Sequence, residues 1–187
     1  MEVILASQSP RRKELMQHLH IPFTVRVADI DETMDPAKPP SEEVARVSRR
    51  KAEAIPREPE DIVIAADTIV VCDGAVLGKP ANDEDAYQML SMLSGRSHQV
   101  MTGLTVCQGE RILSVTEITD VHFRPLSSRE IRDYIATGEP MDKAGSYGIQ
   151  GGASVFADRI AGDYYNVIGL PVCRLYCILK EFMEESR

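Results

Sequence analysis

The alternation of apolar and polar positions predicts an α/β protein. Residues 2–6 and 23–28 have the pattern of short strands, and residues 62–72 form an apolar run typical of a buried strand. A turn at Asp73-Gly74 leads to a short return strand, 75–77. Two more strands are expected at about 98–107 and 111–123. Because the chain mixes helices with hairpins, we expect a mixed twisted sheet with flanking helices. Helical patterns cover about 10–19, 41–55, 82–93, 127–138 and 170–184.

Capping residues mark where these helices begin. Ser9 before Pro10 is typical of a helix N-terminus, and Asn82 and Ser41 have the same role in the next two helices. Ser127 and Glu130 have the spacing of a capping box, in a helix that ends at Gly138. In the last helix, Pro171 is expected in the first turn.

Length and composition limit the classes of function. The 187 residues suit one domain, 1–187, with room for two lobes, and the net charge of −8 argues against a nucleic-acid polymer as partner. The apolar run at 62–72 is too short to span a membrane, and no leader precedes the first strand, so we expect a cytoplasmic protein. The cysteines form no Cys-x-x-Cys pair and the histidines have no zinc spacing, so any metal should be a hard ion bound by oxygen.

Asp67 is the sharpest anomaly in the sequence. It interrupts a segment that is otherwise apolar enough for a fully buried strand. A lone buried carboxylate is costly, so it must neutralise, pair with a cation or hold a metal. The alternative is an aspartate at a strand end that caps a turn. The stretch alone leaves both interpretations open.

A second anomaly is the cationic start of the first helix. The segment from Ser7 through Arg11, Arg12 and Lys13 places three cations in the first turn, where they oppose the helix dipole. Free backbone N–H groups at a helix N-terminus form an anion site, so a phosphate ligand is favoured. Arginines that simply extend into solvent are the alternative.

Three further charged residues are candidates for the same chemistry. Lys51 falls on the apolar face of its helix, from which it either extends to solvent or reaches a carboxylate or phosphate in a cleft. Lys79, in a turn between Gly78 and Pro80, could hold a phosphate or be an ordinary exposed lysine. Glu32, after two aspartates, could bind a metal or be merely solvated.

The segment 138–152 is dense in glycine. Such loops are often functional, because glycine lets the backbone approach a ligand closely. Gln150 offers one donor group and one acceptor, which can match the edge of uracil or thymine. A floppy surface loop is the alternative.

Taken together, these features resemble the Maf family of nucleotide pyrophosphatases, also called septum-formation inhibitor proteins. No single segment is decisive, but their ordered set is specific and covers essentially the whole chain. The loop 143–150 resembles the branch that acts on dTTP and UTP. The branch that favours 7-methyl-GTP typically has a Cys-Ala-Gly-Ser-Phe type of loop instead. The matching segments are 5–12, 66–70, 78–80, 94–98, 102–103, 142–151 and 162–171.

The resemblance implies a fold similar to that of the inosine triphosphate pyrophosphatases, with two lobes around a cleft. It implies hydrolysis of a nucleoside triphosphate to monophosphate and pyrophosphate with Mg²⁺ or Mn²⁺, and a homodimer. By the same resemblance Asp67 is the general base, and Glu32 and Asp67 are metal ligands. The phosphate and metal site is implied for Ser7, Arg11, Glu32, Lys51 and Lys79, and base preference for Arg12, Thr68 and Gln150.

Two rival functions remain open at this point. One is a pyrophosphatase for modified or other nucleotides, of the 7-methyl-GTP or inosine type. The other is a non-catalytic, nucleotide-binding regulator of septum formation. The presence of Asp67, Glu32 and both lysines favours an enzyme, because a sensor needs no buried base.

Overall fold

The computed structural model describes residues 1–27 and 29–184. In this part of the chain the strands are β1 (Val3–Leu5), β2 (Thr24–Val25), β3 (Ile62–Cys72), β4 (Ala75–Leu77), β5 (Ser97–Gln108), β6 (Arg111–Phe123) and β7 (Ala157–Ala161). The α-helices are α1 (Pro10–Gln17), α2 (Pro40–Glu53), α3 (Asp83–Leu93), α4 (Ser128–Ile135), α5 (Tyr164–Ile168) and α6 (Val172–Glu184). Three short 3-10 turns lie at Glu139–Asp142, Ala144–Ser146 and Gly152–Val155.

The strands form one mixed sheet in the order β2-β1-β3-β5-β6-β7, with β4 paired to β3. β1 is parallel to both β2 and β3, and Leu5 lies opposite Val25 and Ile64. The β3–β4 and β6–β7 pairs are antiparallel. Since parallel neighbours need a crossover, α1 and α2 connect the first three strands. The α/β class with a mixed sheet, expected from the sequence, is confirmed.

The chain divides into two compact units. The first comprises Met1–Asp67, Thr102–Glu117 and the chain from Gly169 onward, and the second comprises Thr68–Met101 and Ile118–Ile168. The core of the first unit is a cluster of small and β-branched side chains from β1, α2, β3 and β5. Its members are Ile4, Ala6, Ala52, Ile55, Val63, Ala65 and Cys107.

Helix α2 lies very close to β5 in the first unit. At Gly103 a side-chain Cβ would fall inside contact distance of the Val44 carbonyl oxygen and of the next backbone nitrogen, that of Ala45. These obstacles are helix backbone atoms, which cannot rotate away as a side chain can. Gly103 therefore sets how closely the helix approaches the sheet.

The second unit has an aromatic core centred on Phe123. Its ring makes edge contacts with His98, Tyr147 and Phe156, at centroid distances of 4.9, 4.8 and 5.9 Å. His98 is 2% exposed, and its Nε2 lies 2.7 Å from the Tyr147 hydroxyl. Burial, and to a smaller degree the charge of His122, lowers the pKa of His98 from 6.5 to about 4. The imidazole is therefore neutral in the folded protein at neutral pH.

Most of the expected elements are present. Ser9 and Asn82 are N-caps, Ser127 and Glu130 form the capping box, and β3 has the expected bounds. The described helices include none long and apolar enough to cross a membrane.

Several sequence-based boundaries are wrong. The cap of α2 is Pro39, not Ser41, because the helix already begins at Pro40 and proline is well suited to a first turn. Similarly, Pro171 precedes α6, which begins at Val172. Strand β2 has only two residues, and Ala28, at the end of the expected strand, lies outside the described residues. The pattern also missed β7 and α5, whose five residues each are too few for a periodic signal.

We expect Gly103→Ala to destabilise the protein. The new methyl group would force α2 away from β5, at a cost of about 1–3 kcal/mol typical of overpacking. The measurement is urea-induced unfolding. Gly78→Ala is the matched control, because a Cβ there meets nothing within 4 Å. Equal stability of the two variants would contradict the close approach of α2.

We expect the stability to fall as the pH drops from about 6.5 to 4. The folded state binds fewer protons than the unfolded chain in this window, since the pKa of His98 is lowered to about 4. The loss reaches about 3 kcal/mol once both states are protonated. Urea unfolding across this pH range measures it. The difference between wild type and His98→Gln should shrink as the pH falls, and a difference independent of pH would contradict the assignment.

Candidate active site

The candidate site of the first unit lies at the carboxyl end of β1, beside the part of β3 just beyond its pairing with β1. Register places Leu5 of β1 opposite Ile64 of β3, and the N–H of Ala6 donates to the Ile64 carbonyl at 2.8 Å. Ser7 and Asp67 therefore follow these paired positions on neighbouring strands. Asp67 lies inside β3 and not at its end, so the interpretation as a turn-capping aspartate is wrong. Carboxyl ends of parallel strands are where α/β proteins usually bind ligands.

The partner of Asp67 comes from α2. Alternation along β3 places Asp67 on the same face as Val63 and Ala65, which pack in the core with Ala52 of α2. Lys51 lies next to Ala52 on this helix, and its side chain is largely buried and reaches Asp67. This register of helix on strand brings the cation to the carboxylate.

Lys51 bridges two carboxylates. Its Nζ lies 2.7 Å from Asp67 Oδ1 and 2.9 Å from Glu32 Oε1. The side chains of Lys51 and Asp67 are only 15% and 13% exposed, whereas that of Glu32 is 58% exposed. Of the alternatives for Lys51, the one that reaches a carboxylate is confirmed. The buried charge of Asp67 is compensated by direct pairing.

Arg12 lies close enough to this cluster to interact with the charges of Asp67 and Glu32. Its Nε donates to the Gly169 carbonyl at 2.8 Å, and its Nη1 lies 3.5 Å from Ser7 Oγ. Burial lowers the pKa of Arg12, while the negative charge of Asp67 opposes this effect. Ser7 is 8% exposed, and its Oγ accepts from the N–H of Ser9. Arg11 is half-buried and repels Arg12 electrostatically.

The other sequence-predicted residues belong to the second unit. Thr68 follows Asp67 in β3 and is half-buried, and both Lys79 and Gln150 are exposed. The turn next to Lys79 is joined to the glycine-dense loop, because the Gly145 N–H donates to the Gly78 carbonyl at 3.0 Å. The structure thus brings Ser7, Arg12, Glu32, Lys51 and Asp67 together in the first unit. A common site with Thr68, Lys79 and Gln150 stays a prediction.

The loop that carries Gln150 folds around the carboxylate of Glu139. The Gly152 N–H donates to Glu139 Oε2 at 3.0 Å, and Lys143 Nζ donates to the Glu139 carbonyl at 2.7 Å. A Cβ at Gly151 would collide with this carboxylate. The backbone at Gly151 therefore passes directly against the Glu139 carboxylate, and a side chain there would have to displace it. The interpretation as a floppy surface loop is therefore wrong for this part.

Tyr134 of α4 also binds this loop, through its hydroxyl group. Its hydroxyl donates to Glu139 Oε1 at 3.0 Å and accepts from the Gly148 N–H at 3.0 Å. Burial raises the pKa of this hydroxyl, so it remains protonated and able to donate. Gln150 is exposed between two fixed glycines, Gly148 and Gly152. Its position is defined by backbone contacts on both sides.

The sequence interpretation missed the residues that hold these loops. Tyr134 lies on the apolar face of α4 and Glu139 follows the helix, and neither position indicates by itself that it binds the loop. Glu43 and Arg46 of α2 are paired at 2.7 Å, and the signal that could have indicated them is their i,i+3 spacing on a helix that follows an acidic segment. The loops themselves were visible, but their supports depend on tertiary contacts.

The acidic side chains of the described residues do not gather in a large cluster. No group of three or more His, Cys, Asp or Glu side chains in residues 1–27 and 29–184 is placed to hold a metal ion. Asp67 and Glu32 are the two carboxylates of the cluster, and both face the Lys51 ammonium. They are oxygen donors of the kind that Mg²⁺ and Mn²⁺ prefer.

The fold resembles that of Ham1 proteins. The Ham1 protein of Staphylococcus aureus matches with a TM-score of 0.53 at 13% identity over 97% of this chain and 99% of its own. A HAM1 protein from Coxiella burnetii matches with a TM-score of 0.51 at 15% identity and the same coverage. At such identities the likeness concerns the fold alone. It agrees with the α/β class described above.

The family follows from the sequence comparisons. The family model described as "Maf-like protein" matches residues 2–182, so the chain belongs to the Maf family. A dTTP/UTP pyrophosphatase of Symbiobacterium thermophilum is 53% identical over 97% of this chain and 94% of its own length. Enzymes with the same name from Halalkalibacterium halodurans and Bacillus cereus are 49% and 46% identical, over 95% and 97% of this chain and 94% and 95% of their own.

We expect Tyr134→Phe to destabilise the protein by about 1–3 kcal/mol, since the Gly148 N–H and Glu139 lose a buried partner. Urea unfolding measures the change. Tyr87→Phe is the matched control, because its hydroxyl bond to Ser128 is exposed to solvent and contributes less. A Tyr134 variant as stable as the control would contradict the supporting role of this hydroxyl.

Proposed function

We propose that this protein hydrolyses nucleoside triphosphates, preferentially dTTP and UTP, to the nucleoside monophosphate and pyrophosphate. The observation that carries the proposal is the buried carboxylate of Asp67, held by Lys51 beside the cationic start of α1. The sequence identity of 46–53% with relatives named dTTP/UTP pyrophosphatase supports the reaction and the bases.

Asp67 acts as the general base. It takes a proton from a water molecule as the water oxygen bonds to the α-phosphorus. The bond between that phosphorus and the bridging oxygen then breaks, and pyrophosphate leaves. Lys51 donates to Asp67 Oδ1 and so holds the carboxylate in place for this step. A base of this kind contributes about 10²–10⁴ to the rate.

The cations bind the triphosphate. Arg11 and Lys51 lie in the first unit with Asp67, and Lys79 contributes from the turn after β4. Ser7 offers a hydroxyl next to the N-terminus of α1, where the helix dipole favours an anion. A charge-assisted hydrogen bond contributes roughly 1.5–3 kcal/mol, so the loss of one cation lowers turnover by about tenfold to a hundredfold.

The carboxylate pair fits a divalent cation. Mg²⁺ sites commonly consist of one or two carboxylates completed by substrate phosphates, so Asp67 and Glu32 suffice without a third acidic side chain. Their oxygens both lie within 3 Å of Lys51 Nζ, so the two side chains are neighbours and would be the protein ligands of the cation. When bound, Mg²⁺ or Mn²⁺ neutralises phosphate charge and polarises the bond that is attacked.

Gln150 selects the base. Its amide group can pair with the edge of uracil or thymine, and Thr68 and Arg12 complete this selection. A site built on hydrogen bonds rejects a base that leaves them unpaired by up to about 10⁴. The fixed backbone at Gly148 and Gly152 supports this role because it limits where the amide can lie.

The setting of the enzyme follows from the same proposal. Residues 1–187 form a single catalytic domain that works in the cytoplasm, as a homodimer, on a free nucleotide. The net charge of −8 and the confined cluster of cations suit a small anionic ligand better than a nucleic-acid polymer.

We expect Asp67→Asn to lower the turnover of dTTP and UTP by about 10²–10⁴, because the variant keeps the shape but cannot accept the proton. The measurement quantifies monophosphate and pyrophosphate over a panel of nucleoside triphosphates with Mg²⁺ or Mn²⁺. Asp133→Asn is the control, an exposed aspartate of α4 whose variant should retain wild-type turnover.

The panel separates the rival functions. Near-normal turnover of Asp67→Asn would refute the assignment of the base. Turnover restricted to other nucleotides, such as 7-methyl-GTP or inosine triphosphate, would retain the reaction and refute the role of Gln150. Tight nucleotide binding without turnover by the wild type would refute the enzyme and favour a regulator.

A further inference from the structure

The segment that carries Glu32 has no regular structure of its own. Residues 29–39 connect β2 to α2 without helix or strand. Its local bonds are short-range: the Thr33 N–H donates to Asp31 Oδ1, and the Ala37 N–H donates to Asp35 Oδ1, both at 2.9 Å. Bonds of this kind shape turns but do not fix where the segment lies on the protein. To fix the position of the segment on the protein, a contact with a helix or strand is needed.

Glu43 in the first turn of α2 provides such a contact. Its Oε2 accepts from the N–H of Asp35 at 2.7 Å, and its side chain is only 2% exposed. A carboxylate at this place also favours the helix N-terminus, where the dipole is positive. Glu43 is thus fixed by α2, and it holds segment 29–39 by accepting from the backbone N–H of Asp35.

Arg46 holds the same segment from the next turn of α2. Its Nε and Nη2 donate to the two oxygens of Glu43 at 3.0 and 2.7 Å, a bidentate pair. The same Nη2 donates to the Thr33 carbonyl at 2.8 Å. These bonds with Arg46 and Asp35 lower the pKa of Glu43 to about 2, so the pair is ionised at neutral pH. Glu43 and Arg46 therefore bind a donor and an acceptor on either side of Met34.

Glu32 is the residue immediately before this fixed stretch. It is exposed, and its carboxylate pairs with Lys51, about one and a half helix turns beyond Arg46 on α2. Helix α2 therefore determines both where the segment lies and what Glu32 faces. If the segment moved away from α2, the Glu32 carboxylate would leave the cluster with Asp67.

We propose that Glu43 and Arg46 are positioning residues, which hold the 33–35 backbone so that Glu32 stays beside Asp67 and the two carboxylates can share a divalent cation. The inference deepens the proposed function and rests on it for the role of the cation. Their bonds are to each other and to the backbone of Thr33 and Asp35, so they act through Glu32. Partners behind a metal ligand typically change metal affinity by about 10–100-fold.

The test compares two substitutions on the same helix. Glu43→Gln removes the buried charge, whereas Glu53→Gln removes an exposed charge that pairs with Arg49 at the other end of α2. For Glu43→Gln we expect the half-saturating Mg²⁺ concentration for dTTP hydrolysis to rise by about tenfold or more. Turnover at saturating Mg²⁺ should stay close to wild type, because Asp67 and Lys51 are unchanged. Glu53→Gln should change neither quantity.

A second readout does not depend on turnover. Hydrogen exchange of the Asp35 amide should accelerate in Glu43→Gln and not in Glu53→Gln, since only the first variant weakens its acceptor. Mn²⁺ binding in the presence of the α,β-imido analogue of dUTP, followed by electron paramagnetic resonance, should weaken by about tenfold. In a Glu32→Gln background, Glu43→Gln should have no further effect on Mn²⁺ binding.

The outcomes separate the two proposals. Faster amide exchange with unchanged Mn²⁺ and Mg²⁺ dependence would overturn the positioning role and leave a purely structural pair. A wild type that binds Mn²⁺ and the analogue but hydrolyses nothing would refute the proposed function alone, and the binding shift would still test the inference. If Glu43→Gln fails to fold, Arg46→Lys serves instead, since it keeps the charge but cannot make the bidentate pair and bind Thr33 together.

Discussion

The ion pair between Lys51 and Asp67 is the constraint on which the first unit depends. A carboxylate in the middle of a buried strand is tolerable only with a compensating charge, and removal of one partner from such a pair typically costs about 3–5 kcal/mol. The compensation fixes the register of α2 on β3, because Lys51 must reach Asp67 while Ala52 packs with Val63 and Ala65 in the core. Gly103 of β5 contributes to the same packing, because the absence of a side chain there lets α2 lie close to the sheet.

Both units hold their irregular segments with a carboxylate that is fixed by a helix or a turn. In the first unit, Glu43 of α2 binds the backbone next to Glu32. In the second, Glu139 and Tyr134 bind the glycine-dense loop that carries Gln150. Backbone N–H groups in loops need acceptors, and a carboxylate supplies them with stronger bonds than a neutral group does. The candidate residues are thus displayed on loops whose backbone positions are defined.

The comparisons and the geometry answer different questions. The Ham1 proteins share the arrangement of strands and helices at 13–15% identity, which says how the chain folds. The Maf family model and relatives at 46–53% identity say to which family it belongs. The contacts of Lys51 with Asp67 and Glu32 are a property of this chain, and they give the general base of the proposed reaction a physical basis.

The sequence by itself determined the position of most elements and the anomaly at Asp67. Periodicity and capping act between residues a few positions apart, so the bounds of β3 and the caps at Ser9, Asn82 and Ser127 could be predicted. The same reasoning missed the short elements β7 and α5, which offer too few residues for a pattern, and made β2 longer than its two residues. Only the tertiary structure decided which charges meet. Glu32, Lys51 and Asp67 lie on a loop, a helix and a strand, and the register of the sheet and the packing of α2 bring their side chains together.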